Sequence, residues 1–151
     1  MLRLRAANEA DVAHIHELIG ELAEYERLRS QFSGSVADLR RHLFGEPRYA
    51  QALLAEWDGK AAAFALYCFN YSTFLCRPGL YLEDLYVRPA LRGRGIGSAL
   101  LRELERCARA LGCGRLEWAV LDWNQSAIDF YREFGARAHE GWTLYRKSLL
   151  P

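Results

Sequence analysis

The chain has 151 residues, 51% of them apolar and 26% charged, with a formal net charge of +1. That length and composition suit one soluble globular domain with its own core, spanning 1–151. The near-neutral charge gives no reason to expect a nucleic-acid or membrane partner, and no apolar run is long enough to cross a bilayer.

The N-terminus, MLRLRAANEADV, carries no apolar core of signal-peptide length. Cys68, Cys76, Cys107 and Cys113 form no C-x-x-C pair and no zinc-like pattern with histidine. Reduced thiols, no metal and a cytoplasmic location are therefore expected.

In chain order, Asn8 with Asp11 has the form of a capping box. Val12, Ile15, Leu18, Ile19 and Leu22 then recur at helical spacing to about Tyr25. Ser35-x-x-Asp38 opens a second, shorter helix, which Gly45 and Pro47 end. Two apolar runs, YAQALLAEW and KAAAFALYCFNY, flank Asp58-Gly59 and predict a β-hairpin. Asn70–Gly79 is read as a loop with an aromatic tip, Tyr71 and Phe74, and Leu80–Val87 as a strand. Ile96, Leu100, Leu104, Ala108 and Leu111 mark one face of a helix, which Gly112 or Gly114 stops. A strand over 115–120, a short helix over 125–134 and a closing strand over 142–147 complete the pattern.

The order is α-α-β-β-β-α-β-α-β, with an additional short N-terminal strand allowed for. Strand, helix and strand from Leu80 to Val120 predict a crossover between parallel neighbours, while the hairpin makes its own strands antiparallel. The expected fold is α/β, a mixed sheet flanked by helices.

Arg92-Gly93-Arg94-Gly95-Ile96-Gly97-Ser98 lies where a strand hands over to a helix. Unpaired N–H groups and the helix dipole at that point suit a phosphate. No G-x-x-x-x-G-K-[ST] string is present, and a dinucleotide fingerprint fails at its third glycine, which would fall on Leu100 or Ser98. The spacing R-x-x-G-x-G is met by Arg92, Gly95 and Gly97. Downstream, Asn124 and Tyr131 stand seven apart, two helical turns, with Ala127 between them and Gly135 after. An N-cap asparagine and a core tyrosine account for the same residues without any ligand.

Together these strings resemble the GNAT acetyltransferases. YLEDLYV, AVLDWNQSAIDFY, ELAEYE and EGWTLYR narrow the resemblance to the spermidine/spermine acetyltransferase branch, which includes thialysine acetyltransferase-like proteins. The resemblance implies a GNAT-like sheet, acetyl-coenzyme A as cosubstrate and a small-molecule amine as acceptor. It implies that Leu85 and Val87 pair with the pantetheine, and that N–H groups from Arg92 to Ser98 hold the pyrophosphate. It gives Asn124 a pantetheine contact and makes Tyr131 the acid that protonates the thiolate. Glu83 becomes the base, and Asp84, Tyr25, Glu26 and Trp123 become acceptor contacts. A homodimer is implied too, with Trp142 and Tyr145 available to its interface. Strand alternation places Glu83 and Asp84 on opposite faces. In the polyamine enzymes an aspartate stands where this chain has Ser72, and a tryptophan where it has Phe74, which favours a shorter acceptor here. The alternatives are a protein-amine acetyltransferase and a non-catalytic coenzyme A sensor.

Overall fold

The computed structural model describes residues 1–151, which divide into two compact units, Met1–Ala119 and Val120–Pro151. In the first unit the elements are β1 (Leu2–Ala6), α1 (Val12–Tyr25), α2 (Val36–Phe44), β2 (Gln51–Trp57), β3 (Lys60–Ser72), β4 (Arg77–Val87), α3 (Ile96–Ala110) and β5 (Arg115–Trp118). One five-stranded sheet runs in the order β1-β2-β3-β4-β5. Its strands are antiparallel except at β4–β5, the parallel pair that α3 connects. The N-terminal strand allowed for is therefore present, and the mixed α/β fold is as expected.

Alternation along the strands separates two buried layers. Ala52, Leu54, Phe64 and Tyr86 face Ile15, Leu18 and Leu22 of α1 and Leu43 of α2 in one core. Their neighbours Leu53, Ala55, Ala63 and Ala65 turn to the other side, where they are equally buried. Three of those four are alanines, which leaves room for α3. That helix buries Ile96, Leu100, Leu101, Leu104 and Ala108 and packs on β2 to β5.

The local signals work as their chemistry dictates. Ser35 accepts from the Asp38 N–H at 3.0 Å to start α2, and the hairpin turns through Asp58 and Gly59 at φ +51° and +80°. The loop read over Asn70–Gly79 is shorter than expected. β3 and β4 stay paired out to Ser72 and Arg77, leaving a four-residue tip at 73–76. Ser72 is buried, and its hydroxyl accepts from the Leu75 N–H at 3.2 Å, so this side chain holds the tip.

The second unit contains α4 (Gln125–Glu133). Gly135 follows it at φ +97°, the left-handed conformation that commonly ends a helix. The closing strand expected over 142–147 is absent: these residues carry no regular secondary structure, and Trp142, Leu144 and Tyr145 are exposed. Their alternating pattern has the right composition, but a strand needs a neighbouring backbone to pair with. No ladder includes this segment.

Asp11 ties the N-terminal end of the sheet together. Its Oδ2 accepts from the Asn8 N–H at 2.8 Å, completing the capping box. The same carboxylate receives both terminal nitrogens of Arg5, at 2.7 and 2.8 Å, while Arg5 also reaches Glu56 of β2 at 2.9 Å. The Arg5 hydrogen bonds hold the Asp11 carboxyl below its ordinary range. A depressed carboxyl stabilises the fold fully above the unfolded value, near 4, and loses that contribution as pH falls through the folded one. Asp11→Asn should therefore lose roughly 2 kcal/mol at pH 7 in urea unfolding, with the gap to wild type closing as pH falls below about 4.

Candidate active site

The site is built along β4 and the loop that follows it. β4 and β5 pair only from Gly79–Arg115 to Leu82–Trp118. Beyond Leu82 the edge of β4 that faced β5 runs outside any ladder, through Leu85 and Val87. The parallel ladder thus ends before the two residues that the family resemblance assigns to the pantetheine.

At the same point the other edge of β4 slips. Leu66 pairs with Asp84 but Tyr67 pairs with Leu82, so Glu83 is an extra residue in a β-bulge. Cross-strand partners share a face. Asp84 therefore lies with Leu66 and Leu82 with Tyr67, on opposite sides, although simple alternation would put 82 and 84 together. The expectation that Glu83 and Asp84 point to opposite faces fails for this reason: the bulge resets the alternation between them.

The consequence is electrostatic. Glu83 is exposed and Asp84 partly buried, and Glu26, just past the end of α1, joins them. Burial, reinforced by the charges of Glu83 and Glu26, pushes the Asp84 carboxyl up to about 7. Burial also raises Glu26, with Glu83 repelling its charge. Cys68, opposite Tyr81 on β3, is raised by burial and then by the Glu83 charge. The structure thus brings together three predicted residues and adds Cys68, which no sequence signal marked.

Val87 leads through a 3-10 turn, Pro89–Leu91, into the glycine loop. Gly93 and Gly95 take φ +77° and +79°, conformations costly for residues with a Cβ, and open space lies where each Cβ would be. Gly95 is the N-cap of α3 and supplies no side-chain cap. The first N–H groups of the helix, from Ile96 to Ser98, thus lack the usual side-chain acceptor at a positive helix end. These residues fit a pyrophosphate.

The loop arginines point elsewhere. Arg94 lies 5.2 Å from the Trp57 ring centroid. Arg92 lies 4.8 Å from that of Tyr25 and 5.6 Å from that of Tyr86. A groove of about 670 Å³ along α1 reaches Tyr25 and Tyr86 but not the three carboxylates.

In the second unit Asn124 is buried, and its Oδ1 accepts from the Ala127 N–H at 3.3 Å as the N-cap of α4. Tyr131 is partly buried in α4, its ring 5.4 Å from that of Phe130. Trp123 is exposed.

A parallel pair that opens beside a glycine-rich helix start, with carboxylates on the opened strand, is the arrangement the family resemblance leads one to look for. The acetyltransferase (GNAT) family model matches residues 12–136, and the chain belongs to that family. It is accordingly an N-acetyltransferase, from a family that uses acetyl-coenzyme A as donor. Among curated relatives, a thialysine N-epsilon-acetyltransferase of Bos taurus is 42% identical, covering 95% of this chain and 90% of the relative. An L-ornithine N5-acetyltransferase of Arabidopsis thaliana is 30% identical, covering 95% and 83%. An integron cassette protein from the mobile metagenome of V. cholerae has the same fold, with a TM-score of 0.81 and 25% identity over 97% of this chain and 92% of that one.

A carboxyl raised in the fold favours folding most below its unfolded pKa, near 4, and weakens the fold as pH rises through its folded value. For Asp84 that window runs from about 4 to about 7. Asp84→Asn should therefore be more stable than wild type at pH 8.5, by roughly 2–4 kcal/mol at 1.36 kcal/mol per unit. Urea unfolding at pH 8.5 and at pH 4 should show the difference shrinking toward the acid end.

Proposed function

We propose that the protein transfers the acetyl group of acetyl-coenzyme A directly to the primary amine of a small molecule, a diamine, a polyamine or a thialysine-like amino acid. The observation that carries this reading is the carboxylate cluster of Glu26, Glu83 and Asp84, whose mutual repulsion a cationic amine relieves. The relatives named for thialysine and L-ornithine both take amino acids with a side-chain amine, which favours that acceptor class among the three.

The chemical obstacle is the proton. An alkyl ammonium of pKa about 10.4 has no lone pair at pH 7, and exposing one costs roughly 5 kcal/mol. Passing its proton to an ordinary carboxylate near 4.3 is uphill by roughly 8 kcal/mol, and to one near 7 by roughly 5. Glu83, exposed at the bulge, meets the ammonium as the base. Asp84, its carboxyl pushed up to about 7 by burial and its acidic neighbours, is an acceptor contact beside it. Tyr25, Glu26 and Trp123 are acceptor contacts.

Bound acetyl-coenzyme A supplies an acetyl thioester. The amine lone pair forms the new C–N bond as the C–S bond breaks, the thiolate takes a proton from Tyr131, and the second proton shed by the nitrogen returns through solvent to the Tyr131 phenolate. Leu85 and Val87 offer backbone to the pantetheine, and Asn124 adds a pantetheine contact. The N–H groups from Gly93 to Ser98 offer theirs to the pyrophosphate, while that of Arg92, expected with them, donates instead to the Pro89 carbonyl at 3.3 Å. Asn124 and Tyr131 are assigned on their match to the family's spacing. Cys76 and Cys113 have no identifiable adjacent base in the sequence, and burial raises the Cys68 and Cys113 thiols, which favours direct transfer over an acyl-enzyme.

The same reading takes 1–151 as one domain, working as a homodimer in the cytoplasm. The family match running from 12 to 136 supports the first point. Exposed Trp142, Leu144 and Tyr145 support the second, and the free cysteines the third.

A panel of thialysine, lysine, ornithine, diamines and polyamines, read by thiol release and the mass of the acetylated product, should give turnover with at least one amine. Coenzyme A binding without acetylation of any panel member would sink the small-amine reading. Tyr131→Phe should lower kcat by about ten-fold to a hundred-fold while leaving acetyl-coenzyme A affinity within about three-fold. Unchanged kcat would remove Tyr131 as the acid.

A further inference from the structure

The first residue of the R-x-x-G-x-G string does not reach toward the anion-binding N–H groups. Arg92 is exposed, and its side chain runs back along the strand, where Nε donates to the Val87 carbonyl at 3.0 Å. The guanidinium then faces two aromatic rings, Tyr25 at 4.8 Å and Tyr86 at 5.6 Å. Tyr25 is the last residue of α1, and Glu26 of the carboxylate cluster follows it immediately.

The contact is part of a longer tie. The Tyr86 hydroxyl donates to Glu21 Oε1 at 3.2 Å, and Arg88 donates to Glu21 Oε2 at 3.2 Å. The last turns of α1 are thereby fixed to the end of β4 by Glu21, while Arg92 links the end of the helix to the loop itself. Of these contacts, only that of Arg92 joins a loop residue directly to the residue preceding Glu26. A lysine keeps the charge but cannot spread a planar cation over two rings while donating to a carbonyl.

We infer that Arg92 is a positioning residue, coupling occupancy of the glycine loop to the amine site through Tyr25. A ligand held by the loop N–H groups fixes the loop, and the loop fixes the Arg92 guanidinium. That in turn holds Tyr25 and Glu26 in place against Glu83 and Asp84. The amine then meets an ordered cluster and binds more tightly, and linkage requires the reciprocal effect on the donor. This inference rests on the acetyl-coenzyme A and amine reading above.

The test uses the full chain, with coenzyme A as the non-reacting donor and thialysine as the amine, by calorimetry. In wild type, saturating coenzyme A should tighten thialysine binding by about ten-fold, within the usual range of such couplings. In Arg92→Lys and in Tyr25→Leu that factor should fall below about two-fold. Coenzyme A alone should bind Arg92→Lys within about three-fold of wild type, because backbone N–H groups hold it. In steady state, Arg92→Lys should raise KM for the amine more than KM for acetyl-coenzyme A. Loss of coenzyme A affinity beyond ten-fold with the coupling intact would overturn the inference and make Arg92 a direct phosphate ligand. Two independent affinities in a wild type that acetylates thialysine would overturn the coupling alone. Wild type that neither binds nor acetylates thialysine would overturn the amine-site reading, and the coupling with it.

Discussion

Nearly every feature of the site follows from the place where β4 loses one neighbour and slips against the other. The parallel ladder stops at Leu82–Trp118, and the register against β3 shifts one residue later. A strand paired on both edges has no backbone to offer a ligand, because its N–H and C=O groups are already used. Past Leu82 the outer edge of β4 lies outside the ladder, and the bulge on its inner edge re-aims the side chains at the same point. Had the ladder continued, Leu85 and Val87 would serve the sheet. Had the register held, Glu83 and Asp84 would have parted to opposite faces.

The chain handles its acids in two opposite ways. Near the N-terminus Asp11 and Glu56 share Arg5, and the hydrogen-bonded cation stabilises the Asp11 charge. Around the bulge the ion pairs of the chain do not involve Glu26, Glu83 or Asp84, and burial with like charge drives Asp84 the other way. The first arrangement holds the fold together and the second weakens it. A cluster that costs the fold stability at neutral pH, on the strand that leads into the glycine loop, has the perturbed electrostatics common at functional sites.

What could be read from the sequence divides by how local the signal is. Capping at Asn8–Asp11 and Ser35–Asp38, the turn at Asp58-Gly59 and the glycines of the loop each depend on a few adjacent residues, and all took the expected form. The bulge was not legible because register belongs to two strands: nothing in YLEDLYV alone says that Leu66 and Tyr67 will skip Glu83. The segment WTLYRK shows the reverse error. Its alternation and β-branched or aromatic residues met every local criterion, yet a strand also requires a partner, and composition does not supply one. Ser72 marks a third kind of limit, since its departure from the polyamine enzymes suggested a change in acceptor while its hydroxyl closes a turn.

The arginines of the loop carry this point into the site itself. Counted along the sequence, Arg92 and Arg94 add two positive charges beside a phosphate-binding turn. In the fold one guanidinium rests on Trp57 and the other on Tyr25 and Tyr86, so they brace the loop against β2, β4 and the end of α1. With the guanidiniums turned away, the start of α3 presents backbone N–H groups and the helix dipole, which would lose no side-chain entropy on meeting a ligand. Positive φ at Gly93 and Gly95 turns the chain into α3 without a side chain over its first N–H groups, and a Cβ at either position would strain that turn. The basic residues then tie this helix start to β2, β4 and the end of α1.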